Sequence, residues 1–246
     1  MNLLELHSVT KKFRGLVAVE RLDLSVPKGQ TKSVIGPNGA GKTTVFNLIS
    51  GALLPNSGEI LFNGQKINGF PPYKLCRLGM ARSFQITNIF QGLTVFENVR
   101  LSCHGKTGRI SLFGSVEHLK EQMEETRGIL DLTGLADKRD ELAGNLSHGD
   151  QRHLEIGIAL ASRPTFLLLD EPTAGMNLGE SRATIELIKR FKGTLTILLI
   201  EHDIDLVFAV SDEIAVLHQG RLLAEGDPSE IKANKEVRKA YLGEEV

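Results

Sequence analysis

The chain has 246 residues, of which 41% are hydrophobic, and its 29 basic and 30 acidic side chains leave a net charge of −1. This length suits one large domain, or one domain with an inserted subdomain, and the apolar residues suffice for a packed core. The balanced charge argues against a nucleic-acid partner, and no segment approaches the ~20 apolar residues of a membrane-spanning helix.

The N-terminal part predicts a small antiparallel sheet. Residues 3–9 and 22–26 alternate between apolar and polar side chains. Residues 59–62 run into the turn Asn63-Gly64, which is the strongest short-range signal for a hairpin. The first residues lack the basic start and long apolar run of a signal peptide.

Three short apolar runs predict strands that are buried on both faces, as in a parallel sheet covered by helices. They are residues 31–35, 165–169 and 195–200. Each run leads into a polar motif, and ligands of such sheets bind at the carboxyl ends of the strands. The pattern therefore predicts an α/β fold with its site at this edge of the sheet.

Residues 93–161 predict a helical subdomain, inserted between two parts of the core at residues 1–92 and 162–227. Residues 116–130 place their charges on one side of a helix and Leu119, Met123 and Leu130 on another. Residues 104–114 are rich in Gly and Ser and predict a loop or a helix break.

The C-terminal part predicts a second hairpin and one amphipathic helix. Residues 214–217 and 222–224 flank Gln219-Gly220, and residues 228–246 form the predicted helix. The two cysteines, Cys76 and Cys103, fit no metal-binding spacing, which indicates reduced thiols of a cytosolic protein.

The sequence GPNGAGKTT at residues 36–44 fits the G-x-x-x-x-G-K-[ST] phosphate loop. Its glycines let successive backbone N–H groups turn inward around phosphates, and the following helix adds its positive N-terminal dipole. Lys42 would supply a charge to the β- and γ-phosphates, and Thr43 a hydroxyl to Mg²⁺. The residues predicted to bind the nucleotide here are Gly36, Asn38, Gly39, Ala40, Gly41, Lys42, Thr43 and Thr44.

Two acids follow the second apolar run, in FLLLDE at residues 166–171. Asp170 is placed to hold the Mg²⁺ shell, and Glu171 to polarise a water for in-line attack on the γ-phosphate. Alone, such a pair more often caps a helix or lies in a solvated turn. After a phosphate loop, the catalytic interpretation is favoured.

The segment LSHGDQ, residues 146–151, opens a helix with Ser147 and Gly149 at its N-terminus, a natural phosphate site. With the phosphate loop, the acidic strand end and a later strand that ends near His202, this motif order resembles the ATP-binding cassette (ABC) ATPase family over nearly the whole chain. The resemblance implies a phosphate-loop NTPase (RecA-like) core, a flanking antiparallel β-sheet and an inserted α-helical subdomain. It also implies ATP and Mg²⁺ as cofactors.

The family resemblance gives roles to three motifs. LSHGDQ is similar to the signature LSGGQ, although His148 and Asp150 depart from it, and Ser147 and Gly149 would contact the ATP of a partner subunit. Gln85 matches the glutamine that contacts Mg²⁺ and the attacking water. His202 matches the switch histidine that contacts the γ-phosphate.

Two further positions are assigned in the same way. Phe13 resembles the aromatic residue that stacks on adenine, for which a π-face is sufficient. In PTAGMN, residues 172–177, Asn177 stands where the family usually has an aspartate that contacts the other subunit. Its side chain is polar but has no charge.

Five sequence segments resemble the ATP-binding subunits of branched-chain amino acid importers, in the longer of their two subunit types. These segments are ARSFQITNIFQGLTVFENV, DQRHLEIGIALASRP, DEPTAGMN, IEHDIDLV and KAYLG. Relatives that import urea or export lipopolysaccharide share much of the sequence of these segments. A soluble ABC ATPase that acts on nucleic acid or ribosomes is the alternative from another class, and the signature and His202 argue against a stand-alone phosphate-loop kinase.

The resemblance implies a peripheral subunit on the cytoplasmic face of the inner (plasma) membrane. Its implied partners are a second ATP-binding subunit, two multi-span permeases and, indirectly, a periplasmic substrate-binding protein. ATP would be held between Lys42 of one chain and Ser147 of another. A permease helix would dock at residues 86–94, where the apolar side chains are Ile86, Ile89, Phe90 and Leu93.

Overall fold

The computed structural model describes residues 1–83, 89–105 and 116–242, which contain two β-sheets and nine α-helices. The strands are β1 Asn2–Phe13, β2 Leu16–Pro27, β3 Thr31–Ile35, β4 Ser57–Phe62, β5 Gln65–Lys66, β6 Met80–Arg82, β7 Phe166–Asp170, β8 Thr196–Ile200, β9 Glu213–His218 and β10 Arg221–Gly226. The helices are α1 Lys42–Ile49, α2 Pro72–Arg77, α3 Val95–Gly105, α4 Val116–Thr133, α5 His148–Ala161, α6 Leu178–Arg190, α7 Ile204–Val210, α8 Pro228–Ala233 and α9 Lys235–Leu242.

The larger sheet has the strand order β10-β9-β3-β8-β7-β6, and all its neighbours from β9 to β6 pair in parallel. Every residue of β3, β7 and β8 is buried. This confirms the predicted α/β fold with strands that are covered on both faces. The edge strand β10 pairs with β9 as the predicted second hairpin.

The smaller sheet, β2-β1-β4-β5, is antiparallel throughout and confirms the prediction from the N-terminal pattern. Its β4–β5 hairpin turns at Asn63 and Gly64, whose φ values are 49° and 75°. Both residue types tolerate this left-handed conformation, which the tight hairpin turn requires.

The main core lies between the two sheets and surrounds α1. The rings of Phe62 from β4 and Phe166 from β7 meet edge to face, with centroids 5.8 Å apart and planes at 67°. On its other face the larger sheet is covered by α5, α6 and α7, which contribute Ile156, Leu187 and Leu206. The ends of β3, β7 and β8 are thereby held on a rigid scaffold.

A separate apolar cluster joins α3, α4 and α5 through residues such as Val99, Ile129 and Leu154. Helix α5 also packs on the larger sheet through Ile156 and Ala159. It therefore connects the helical part to the core. The domain boundaries at residues 92, 161 and 227 stay predictions.

The face that α4 buries differs in part from the predicted one, because Leu130 is buried as expected and two other apolar residues are not. Leu119 and Met123 are 49% and 38% exposed, whereas Gln122 and Thr126 are buried. The Thr126 hydroxyl donates to the carbonyl oxygen of Gln122 at 2.7 Å. Because this bond satisfies the hydroxyl within the helix, a polar residue can face the core, and apolar periodicity alone misplaced Leu119 and Met123.

The C-terminal segment forms two helices rather than the single helix that was predicted. Asn234 has extended backbone at the end of α8, and its side-chain oxygen accepts the N–H groups of Glu236 and Val237 at 2.9 and 3.2 Å. This cap ends one helix and starts the next. Among the helices in the described ranges, none is both long and apolar enough to cross a membrane.

Candidate functional site

The phosphate loop connects β3 to α1 at the carboxyl end of the parallel strands. A Cβ at Gly36 would lie 2.2 Å from the carbonyl oxygen of Leu217, and one at Gly41 would lie 2.5 Å from that of Ala18. Gly41 also has a φ of 102°. Close packing against β9 and β2 therefore requires these glycines, in addition to any role they have in binding phosphate.

Lys42 is folded back onto its own loop. Its Nζ donates to the carbonyl oxygens of Gly36 at 2.6 Å and Pro37 at 3.1 Å, and only 8% of the residue is exposed. Burial lowers the pKa of Lys42, and the nearby charge of Glu171 opposes that effect. A phosphate at the mouth of the loop would stabilise this partly desolvated cation.

The other loop residues predicted to bind nucleotide differ in exposure. Asn38, Gly39 and Thr43 are exposed, Thr44 is half-buried, and Ala40 is buried. Thr43 lies in the first turn of α1. Its hydroxyl is therefore available at the helix N-terminus.

Glu171 and His202 meet where β7 and β8 end. Nδ1 of His202 lies 3.5 Å from Oε1 of Glu171, and 61% of the His202 side chain is exposed. Glu171 has a φ of 47°, a left-handed conformation that is unusual for a residue with a side chain and is concentrated at functional sites. Its N–H donates to the carbonyl oxygen of Ile200 at 2.9 Å, which helps to hold that conformation. The structure thus brings Glu171, His202 and Lys42 together.

Glu201, which the sequence analysis did not single out, supports this pair. It is fully buried. Its Oε1 accepts the N–H and the hydroxyl of Thr173 at 3.0 and 2.5 Å. Its Oε2 accepts the N–H groups of His202 and Asp203 at 2.9 and 3.3 Å. One carboxylate thus ties the loop after Glu171 to the loop that carries His202, and its only signal in the sequence was an acid directly before the histidine.

Asp170 is 2% exposed and pairs with Arg82, whose Nη2 lies 3.0 Å from Oδ2 of the carboxylate. Nη1 of Arg82 also donates to Asn47 and Ser50 at 2.7 and 2.8 Å. Burial raises the pKa of Asp170, and the charge of Arg82 counteracts it. Arg82 was not predicted as a site residue, because its place beside Asp170 depends on the pairing of β6 with β7.

Ser147 caps α5, the helix that the signature segment opens. Its Oγ accepts the N–H of Asp150 at 3.2 Å and donates to the Asp150 carboxylate at 2.9 Å. Asp150 also forms an ion pair with Lys138. Burial alone would raise the pKa of Asp150, but the hydrogen bonds from Lys138 and Ser147 outweigh it and hold this pKa below its ordinary value.

Glu180 links the N-termini of α5 and α6. Its Oε1 accepts the N–H of Gly149 at 3.2 Å, and its Oε2 accepts that of Asn177 at 3.1 Å. Asn177 caps α6, since its side-chain oxygen accepts the N–H groups of Gly179 and Glu180 at 2.9 and 3.0 Å. The amide therefore performs the capping that an aspartate would also provide.

Phe13 lies at the end of β1, where 42% of the residue is exposed and Nζ of Lys11 lies 5.1 Å from the ring centroid. Strand β2, which pairs with β1, approaches the phosphate loop at Ala18. An aromatic face is thus exposed on the hairpin beside the loop. Gln85 lies outside the described residues.

A groove of 530 Å³ lies between the core and the helical part, and its lining includes Tyr73, Cys76, Arg82, Ser102 and Ile158. Of the predicted docking segment, residues 86–88 lie outside the described ranges. Phe90 is 63% exposed, whereas Ile89 and Leu93 are half-buried.

Comparison with known proteins agrees with this geometry. Residues 19–174 match the family model described as ABC transporter, and residues 221–246 match that of the branched-chain amino acid ATP-binding cassette transporter. The high-affinity branched-chain amino acid transport ATP-binding protein BraF of Pseudomonas aeruginosa is 40% identical over 250 residues, which cover 98% of each chain.

Two solved structures are similar over most of the chain. MJ1267, an ATP-binding cassette of an ABC transporter in its ADP conformation, is 30% identical with a TM-score of 0.85, covering 99% of this chain and 100% of that one. The dimeric bacterial ABC transporter cassette MJ0796 is 26% identical with a TM-score of 0.78, covering 92% and 98%. The present chain therefore belongs to the ABC transporter family, as an ATP-hydrolysing cassette with the phosphate-loop NTPase fold.

Proposed function

We propose that this chain energises the import of branched-chain amino acids as the ATP-hydrolysing subunit of a membrane transporter. The observation that carries the proposal is the 40% sequence identity with BraF. The similarity covers 98% of both chains and therefore extends well beyond the nucleotide-binding motifs. In this proposal the chain binds peripherally to two permease subunits on the cytoplasmic face of the membrane. An extracytoplasmic binding protein delivers the amino acid to those permeases.

Glu171 is the proposed general base. Its carboxylate polarises the water that attacks the γ-phosphate in line, while His202, whose Nδ1 is 3.5 Å away, and Lys42 contact the phosphate. Glu201 positions both loops through its four hydrogen bonds. Gln85 is proposed to orient the water and to contact Mg²⁺.

Thr43 and Asp170 are the described residues whose chemistry fits Mg²⁺. A hydroxyl and a carboxylate are oxygen ligands, and Mg²⁺ is commonly held by one or two carboxylates together with waters and substrate phosphates. The described ranges contain no cluster of three His, Cys, Asp or Glu residues suited to a metal, so the protein would supply only part of the shell. When bound, Mg²⁺ would neutralise charge on the β- and γ-phosphates.

The nucleotide is proposed to lie between two cassettes, either two copies of this chain or this chain and a related one. The Ser147 hydroxyl and the Gly149 N–H form their hydrogen bonds with α5 and α6 rather than with the phosphate loop of the same chain. A helix N-terminus of this kind suits the γ-phosphate of an ATP bound to the other cassette. The similarity to the dimeric MJ0796 cassette supports the arrangement.

The groove beside α2 is the proposed docking site for a cytoplasmic helix of a permease. Its lining combines apolar residues such as Ile158 with Tyr73, of which 66% is exposed. It shares Arg82 with the ion pair at Asp170. A docked helix that moves would therefore displace Arg82 and, through the ion pair, Asp170 at the end of β7.

Substrate-stimulated ATP hydrolysis by the complex purified with its permeases tests the proposal. We expect leucine, isoleucine or valine, presented by the binding protein, to raise the rate, and urea and lipopolysaccharide to leave it unchanged. Stimulation by urea or lipopolysaccharide alone would refute the branched-chain substrate. Stimulation by nucleic acid or ribosomes, without permeases, would refute the transport role.

A further inference from the structure

The carboxylate of Glu180 occupies the N-terminus of the signature helix α5. Its Oε1 accepts the N–H of Gly149 at 3.2 Å, while the Ser147 hydroxyl beside it donates to Asp150 at 2.9 Å. A Cβ at Gly149 would lie 2.8 Å from Cγ of Glu180, so a glycine at this position is needed for the approach. The Gly149 N–H, which should contact the γ-phosphate of a partner's ATP, is thus already bound to the Glu180 carboxylate.

The position of Glu180 is set by its own helix. Asn177 and Glu180 form a capping box at the start of α6, in which Oε2 accepts the Asn177 N–H at 3.1 Å. Hydrogen bonds from Asn177 and then Gly149 hold the pKa of Glu180 below its ordinary value. The side chain is therefore an ionised bridge between two helix N-termini, each of which attracts negative charge.

Backbone N–H groups at two helix N-termini bind the Glu180 carboxylate. From α5, the titratable residues that face it are His148 and His153. Asp150, on the same helix turn as Gly149, is paired with Lys138. Within the part of the chain that the structure describes, no lysine or arginine forms an ion pair with Glu180. A phosphate would compete for the same N–H donors, because they bind any suitably placed anion.

We propose that Glu180 is the resident anion of the signature helix, and that the γ-phosphate of a partner's ATP displaces it when the shared site closes. This inference rests on the two-cassette site of the proposed function. A nucleotide without a γ-phosphate has no group to exchange for the carboxylate, so the exchange favours ATP over ADP. Glu180 is in this sense a specificity-determining residue that sets the ATP concentration needed for closure.

The test uses the full chain with Glu171→Gln, which should bind ATP without hydrolysing it, and adds Glu180→Gln. Glutamine can still accept the Asn177 N–H, so the capping box remains while the competing charge is removed. We expect the ATP concentration at half-maximal association, measured by sedimentation, to fall about tenfold, because hydrogen bonds to charged acceptors are stronger than those to neutral ones. ADP should produce no association with either protein.

Glu230→Gln is the matched control. Glu230 occupies the same capping-box position at α8, where its Oε2 accepts the Asp227 N–H at 3.0 Å. Glu230→Gln removes one negative charge, as Glu180→Gln does. The ATP concentration at half-maximal association should not change in this control. An unchanged midpoint for Glu180→Gln, or an equal fall for Glu230→Gln, would overturn the inference.

If no variant associates at any ATP concentration, the site formed by two copies is refuted, and the amide resonance of Gly149 decides the inference separately. In the ¹⁵N-labelled full chain, Glu180→Gln should shift the Gly149 N–H resonance upfield, whereas Glu230→Gln should leave it unchanged. A Gly149 resonance that does not respond to Glu180→Gln would contradict the contact and with it the inference.

Discussion

At the residue scale, the proposed chemistry depends on how Glu171 is held. Its backbone has a φ of 47°, and its N–H bond to Ile200 helps to keep the carboxylate beside His202. The buried carboxylate of Glu201 accepts the N–H groups of Thr173 and His202 and so holds the loops that follow β7 and β8. If Glu171 is the general base, as proposed, a carboxylate held in this way needs little reorganisation before the reaction.

Glu171→Gln should lower the rate of ATP hydrolysis by a factor of about 100 or more, because the amide cannot accept the proton of the attacking water. ATP affinity should be retained, since Lys42 and the phosphate loop are unchanged. Single-turnover phosphate release and equilibrium ATP binding measure the two quantities. Hydrolysis at the wild-type rate would show that Glu171 is not the general base.

Phe13→Ala should weaken ATP binding by up to about tenfold, because the loss of aromatic stacking removes an interaction of roughly 1 kcal/mol. Phe13→Tyr should bind ATP as the wild type does. Leu16→Ala is the control, since Leu16 pairs with Phe13 across the hairpin and is 69% exposed. Titration with ATP gives the affinities, and an equal loss in the Leu16 variant would argue against stacking.

The sequence identified those site residues that belong to contiguous motifs. Lys42, Glu171 and His202 were predicted in this way, and the structure brings them together. Arg82 and Glu201 were not predicted, because their contacts arise from strand register and loop packing. A single sequence carries no local signal for such tertiary pairs.

At the scale of elements, short polar side chains define where four of the helices begin. Ser147, Asn177, Asp203 and Asp227 each cap a helix with a side-chain oxygen. The sequence predicted the first helix start from its phosphate-site chemistry. It predicted a continuous C-terminal helix because the Asn234 cap lies within an otherwise helical pattern.

The cap at α8 should make stability depend on pH. Hydrogen bonds from the Ser229 hydroxyl and from backbone N–H groups hold the pKa of Asp227 below its ordinary value. Its contribution to the free energy of unfolding is therefore complete above about pH 4, the ordinary aspartate value, and is lost as the pH falls through the lower folded-state pKa.

Asp227→Asn replaces this carboxylate with a cap that does not titrate. The denaturant midpoint of the variant should fall less steeply than that of the wild type as the pH is lowered. Asp131→Asn, which removes an exposed acid from α4, is the control. An identical pH dependence for wild type and Asp227→Asn would contradict the assignment.

At the scale of the whole molecule, one sheet edge collects the phosphate loop, Asp170, Glu171 and His202, while the groove lies between that core and α3 and α5. The α/β architecture could be predicted from the buried strand runs and their order. The groove could not, because its walls come from segments that are distant in sequence. Because Arg82 lines the groove and pairs with Asp170, the proposed permease helix would lie next to the end of β7.

A photocrosslinker coupled to the cysteine of Tyr73→Cys should attach to a permease in the active complex. The variant also carries Cys76→Ser, because Cys76 is exposed and would otherwise be labelled too. Tyr73 lines the groove and is 66% exposed. Leu54→Cys is the control, because Leu54 is 58% exposed but does not line the groove. Denaturing gels show whether each variant forms an adduct with the mass of the chain plus a permease. A permease adduct from Leu54→Cys alone would place the docking surface elsewhere.

Uptake of labelled leucine into vesicles that contain the complete transporter measures the proposed import reaction itself. The binding protein is supplied on the opposite side of the membrane from the cassettes, and ATP is supplied on the cassette side. We expect ATP-dependent leucine accumulation with the wild-type chain and only background uptake with Glu171→Gln, although both should bind ATP. Equal uptake with the two chains, or an active complex that accumulates urea and no branched-chain amino acid, would contradict it.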